Sequence, residues 1–95
     1  MNLDDLTRAL AASESSARGA VEITDLAYDA ARVTPGAVFF CVPGSRADGH
    51  DFAPRAVAAG AAALVVERPL NLDVPQLLVE DARSSMAVAG DFFFG

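Results

Sequence analysis

The chain has 95 residues, room for one small domain, and its 53% hydrophobic content contains no apolar run near the ~20 residues of a membrane span. Thirteen acidic residues stand against seven arginines and no lysine, a net charge of -6. That balance excludes a Gly-Lys-Ser/Thr phosphate loop and a lysine Schiff base, and with no basic stripe it argues against nucleic-acid binding.

Residues 2–12 read as a helix, with Asn2 as N-cap, Asp4 and Asp5 at the positive end of the dipole, and Leu3, Leu6 and Leu10 at helical spacing. Ser13 to Gly19 reads as a loop. Val21 to Tyr28 reads as a strand with Val21, Ile23 and Asp25 on one face. Thr34-Pro35-Gly36 is a turn, and the apolar run 37–42 is a strand covered on both faces. Residues 43–50 form a polar, turn-rich loop. Asp51 to Ala59 reads as a helix closed by Gly60. Residues 62–66 are a buried strand, 68–75 a loop and 76–79 a further strand. Asp81 caps a last helix through Ala89, with Ala82, Met86 and Ala89 on one side. The order α-β-β-α-β-β-α, with a βαβ unit over 37–66, predicts a small single α/β domain: a mixed β-sheet flanked by helices.

In such folds ligands sit beyond the carboxyl ends of strands. The loop Pro43-Gly44-Ser45-Arg46-Ala47-Asp48-Gly49-His50 occupies that place. Its glycines allow close backbone approach, and Arg46 could meet a phosphate. The plainer reading is a connector whose Asp48 or Asp51 caps the next helix; an acid/base role for that pair would need burial. His50 is expected as a surface or capping residue, and Cys41 as a buried, inert thiol. One histidine and one cysteine are too few for a zinc site. Asp29 is expected to accept from N–H groups of residues 31–33. Phe92, Phe93 and Phe94 are expected to meet a segment outside the domain or to mark a linker. Residues 1–10 lack the apolar core of a signal peptide, so a cytoplasmic location is expected.

The stretches Ile23 to Asp29, Arg32 to Gly44, Ala47 to Phe52, Ala56 to Gly60 and Ala63 to Glu67 together resemble the N-terminal domain of the Mur ligases. Arg68 to Gln76 and Val79 to Arg83 resemble the UDP-N-acetylmuramoyl-tripeptide synthetase branch of that family, more than the D-alanyl-D-alanine-adding branch. The resemblance implies a cytoplasmic, three-domain, ATP- and Mg²⁺-dependent ligase of peptidoglycan synthesis. Such an enzyme adds meso-diaminopimelate or L-lysine to UDP-N-acetylmuramoyl-L-alanyl-D-glutamate. It further implies that residues 21–95 are the UDP-binding domain, preceded by a helix and loop over 1–20. The UDP contacts would fall on Tyr28, Ala30, Ser45, Arg46 and Ala47, with no catalytic residue and no metal ligand. The family's usual Asp-Ser-Arg is Asp29-Ala30-Ala31 here, which removes a hydroxyl and a guanidinium. The chain stops where the linker to the ATP domain would begin. The expectation is therefore a polypeptide with no cofactor of its own, unable to ligate alone, whose partners are the UDP substrate and the remaining ligase domains. A non-enzymatic truncated binding module is the rival expectation.

Overall fold

The computed structural model describes residues 2–12, 14–15 and 21–94. In chain order they form α1 (Leu3–Leu10), β1 (Glu14–Ser15), β2 (Asp25–Ala27), β3 (Ala37–Phe40), α2 (Ala53–Ala58), β4 (Ala63–Val66), β5 (Gln76–Leu78) and α3 (Ala82–Phe94). The sheet order is β1-β5-β4-β3-β2. Strands β2 to β5 run parallel, and β1 closes the β5 edge antiparallel. The sheet is thus mixed, as the sequence predicts.

Strands β3 and β4 are buried at every position. Side chains alternate across a strand, so each run feeds two cores. Val38, Phe40, Ala63 and Val65 join Leu3, Leu6, Leu77, Val79, Ala82 and Ala89 under α1 and α3. Ala37, Phe39, Leu64 and Val66 join Ala30, Ala53, Ala56 and Ala61 under α2. The alanines let α2 sit close on the sheet, while Phe39 and Phe40, both fully buried, fill the two layers.

Several boundaries differ from the sequence reading. The strand expected over 21–28 is only Asp25–Ala27. Its first residues pair instead with the start of α1: Leu3 N–H donates to the Val21 carbonyl at 2.7 Å, and Asn2 bridges Glu22. β1 falls inside the expected loop 13–19, where two polar residues carry no strand signal; the rest of that stretch lies outside the described residues. The helix expected from Asp51 begins as a 3-10 turn, Gly49–Phe52, before α2. α3 continues past Ala89 to Phe94, with Phe93 partly buried against the core. At the outer edge of β2, Leu26 N–H donates to the Asp25 carboxylate at 2.8 Å.

Gly60 ends α2 with φ +103°, and its carbonyl accepts from Gly36 N–H at 3.0 Å. A Cβ on Gly60 would lie 2.9 Å from Pro35 Cα, a backbone atom that cannot swing aside. Gly60→Ala is therefore expected to cost at least about 1 kcal/mol, or roughly 4–8 °C in melting temperature by circular dichroism. Gly90→Ala is the contrast. It lies within α3 with nothing within 4 Å of the added methyl, so a gain of about 0.5–1 kcal/mol is expected.

Candidate functional site

All four parallel strands release their loops at one edge of the sheet. After β3, the chain folds back as a tight loop. Gly44 N–H donates to the Ala47 carbonyl at 2.9 Å, Pro43 bridges Asp48, and Gly49 N–H donates to the Val42 carbonyl at 3.0 Å. A Cβ on Gly49 would meet Val42 N at 2.6 Å, so only glycine permits that closure. Ser45, Arg46 and Ala47 form the exposed tip.

The base of this loop is fastened from three sides. Asp48 caps the 3-10 turn, as the plainer reading expected: its Oδ1 accepts from His50 N–H at 2.9 Å and stands 2.6 Å from His50 Nδ1. Its Oδ2 accepts from Arg68 at 2.9 Å. His50 Nε2 accepts from the backbone N–H of Glu67 at 2.9 Å. A backbone N–H can only donate, so Nε2 is the unprotonated nitrogen and the ring proton sits on Nδ1, shared with Asp48. Arg83 donates to the Pro43 carbonyl at 3.3 Å. Glu67 in turn accepts from Ala82 N–H at 2.8 Å, and Asp81 accepts from Ser84 N–H at 3.1 Å, so the same cluster caps α3.

His50 corrects the sequence reading. It is not a surface residue; it is 3% exposed. The end of β4 needs an acceptor for Glu67 N–H, and the imidazole supplies it from 17 residues away in sequence. Hydrogen bonds from the His50 backbone and ring, with Arg68 adding to them, hold the Asp48 carboxyl well below the usual carboxylate range. Cys41 is buried, and burial, reinforced by the Asp48 charge, pushes its thiol up to about 12, so it is no nucleophile at neutral pH.

The second set of predicted residues leaves β2. Ala27 is paired with Phe39 in the neighbouring strand, so the two loops emerge side by side. Tyr28 is 68% exposed, whereas Ala30 is buried in the 3-10 turn Ala30–Arg32. Asp29 caps that turn, accepting from Ala31 N–H at 2.9 Å as expected. Tyr28, Asp29 and Ala30 line a cleft of about 300 Å³ together with Phe52 and Arg55. Sequence reasoning missed these last two. In the sequence they are only an aromatic and an arginine three residues apart, a pair that names no cleft. Among the described residues no group of three or more His, Cys, Asp or Glu is placed to hold a metal ion. No helix there is long and apolar enough to cross a membrane. With no lysine, the chain contains no Gly-Lys-Ser/Thr phosphate loop.

Residues 22–91 match the family model described as "Mur ligase family, catalytic domain". The chain belongs to the Mur ligase family. Among curated relatives, the UDP-N-acetylmuramoyl-L-alanyl-D-glutamate–2,6-diaminopimelate ligase of Geobacillus kaustophilus is 53% identical over 81% of the chain and 16% of its own length. The ligase of the same name from Listeria innocua is 40% identical over the whole chain and 19% of its own. The chain thus spans under a fifth of the relatives it matches. Among solved structures, MurF from Acinetobacter baumannii superposes with a TM-score of 0.86 at 27% identity, over 96% of this chain and 20% of that one. MurF from Thermotoga maritima in complex with ADP superposes with a TM-score of 0.61 at 34% identity, over 74% of this chain and 16% of that one.

Asp48→Asn keeps an acceptor toward His50 but loses the charge that faces Arg68 and the imidazole. It is expected to destabilise the fold at pH 7. Because the folded carboxyl lies below its ordinary 3.8, its stabilisation is complete above that pH and fades as pH falls through the folded value. Urea titrations of both proteins should show a gap that is constant from pH 5 to 7 and narrows below about pH 4. A gap independent of pH down to 2 would remove the charge from the explanation.

Proposed function

We propose that this chain is the N-terminal portion of a tripeptide-synthetase-type ligase and holds the UDP end of UDP-N-acetylmuramoyl-L-alanyl-D-glutamate. Residues 21–95 form the binding domain, with residues 1–20 as its leading helix and loop. The observation that carries this reading is the pair of neighbouring loops, Tyr28–Ala30 and Ser45–Ala47, at the carboxyl edge of adjacent parallel strands, on a chain 40–53% identical to ligases whose name contains that substrate. Arg46 at the exposed tip faces phosphate, and backbone groups of the tip read the uridine.

The role is positional. Remote binding of the nucleotide fixes where the reacting carboxylate lies, and that binding energy serves the chemistry elsewhere. ATP and Mg²⁺ belong to the parts of the ligase outside this chain, and the added residue is meso-diaminopimelate or L-lysine. The ligase works in the cytoplasm, where its nucleotide substrate is found. The D-alanyl-D-alanine-adding ligases are the second reading. It is favoured by the structural likeness to such an enzyme from Acinetobacter baumannii, at a lower identity of 27%.

Titration of the chain with UDP-N-acetylmuramoyl-L-alanyl-D-glutamate, followed by amide NMR shifts, tests the proposal. Saturable shifts at Tyr28–Ala30 and Ser45–Ala47, reproduced by UMP and absent with ATP, are expected. No saturable shift in a folded sample at millimolar ligand would overturn it.

A further inference from the structure

From Ser84 to Phe94, α3 carries a single charged residue, Asp91. Its inner side is fully used: Ala82, Ser85 and Ala89 are buried, and Met86 and Phe93 pack partly against the core. Its outer side holds Val88 at 48% and Phe92 at 51% exposure, one turn apart and so on the same side of the helix. At exposed helix positions intrinsic preference decides the residue, and valine and phenylalanine are both weak helix formers. Single exposed apolar residues are ordinary, but these two continue into a groove. Val88 lines it with Leu10 and Ala11 from the end of α1 and with Val79, Glu80 and Asp81, around a volume of about 350 Å³.

Two facts select the occupant of this face. The relatives extend far beyond the matched segment: the Listeria innocua ligase matches the whole chain with 19% of its own length. α3 runs to Phe94, so polypeptide that continues the chain leaves from the end of the helix that bears Val88 and Phe92. A partner tethered there meets the face at a high effective concentration and needs no large contact area to stay seated. A second copy of the chain fits less well. It would add its own net charge of -6, with no lysine to set against Glu80, Asp81 and Asp91.

We infer that the Val88–Phe92 side of α3, with the groove beside it, is the seat for the part of the ligase that follows residue 95, and that this part presents an apolar surface with basic side chains at its rim. The inference rests on the reading of the chain as the N-terminal portion of a longer ligase, and it adds the surface by which that portion is held. α3 is also fastened at its other end: Glu67 accepts from Ala82 N–H, and Arg83 donates to the Pro43 carbonyl. Seating the helix thereby fixes the loop after β3 relative to the part that follows.

The test compares the 95-residue chain with the ligase that continues it, each carrying Val88→Cys or Phe92→Cys. The rate of iodoacetamide labelling at that position is read by peptide mass spectrometry. Cys41 is buried and stays unlabelled in the folded chain, and Asn71→Cys, at an exposed position between β4 and β5, is the control for an open site. Labelling at positions 88 and 92 is expected to be at least about tenfold slower in the ligase than in the shorter chain, because a covered side chain reacts only when its contact opens. Labelling at position 71 should be the same in both. Equal rates at 88 and 92 in the two proteins overturn the inference and leave the nucleotide reading to its own titration with UMP. Slow labelling already in the shorter chain, relieved by dilution and accompanied by a dimer in sedimentation, makes a second copy the occupant and overturns it too. A ligase protected at 88 and 92 whose binding of UMP fails supports the seat and overturns the nucleotide reading.

Discussion

Burial of β3 and β4 on both faces is the constraint from which the rest follows. Strands with no solvent face need a cover on each side, and parallel strands need crossovers to supply it. α2 provides one cover, and α1 with α3 the other. Once the strands run parallel, all their loops leave at one edge. The place where a ligand can bind is thus a result of core packing before any functional residue is chosen.

The loop after β3 shows how that edge is kept in shape. Its tip is exposed, yet its base is bound to the ends of both β4 and α3. His50 is the pivot: it takes a proton donor from Glu67 on one side and gives one to Asp48 on the other. A polar network closed in this way leaves no buried side-chain atom unsatisfied among the described residues. The exposed tip Ser45–Ala47 therefore stands on a hydrogen-bonded base that is complete within the folded chain.

Much of this was legible in the amino-acid order. The two apolar runs, Gly60 after the helix, and the caps at Asn2, Asp29 and Asp81 each carry a local signal with a local cause, and all three caps accept as expected. What stayed hidden depends on residues distant in the chain. Nothing near His50 announces that its partner is the amide of Glu67. Glu14 and Ser15 become a strand only because the edge of β5 offers them a ladder. Tyr28 and Ala30 could be named from the family resemblance. Phe52 and Arg55 could not, because the 3-10 turn that carries Phe52 and the helix α2 that carries Arg55 meet the segment after β2 only in the folded chain.

The sheet ends in β1 at one border and β2 at the other. On one side the described part of β1 is two residues, and a short edge ladder offers little for another strand to extend. On the other, β2 has three residues, and the Asp25 carboxylate occupies the amide of Leu26 that a foreign strand would seek. Half of the chain's residues are apolar and its central strands are continuous hydrophobic runs, the composition of a sequence prone to cross-β assembly. Short edge strands and an edge amide already taken by a side chain are the devices by which sheets with such cores limit edge-to-edge pairing.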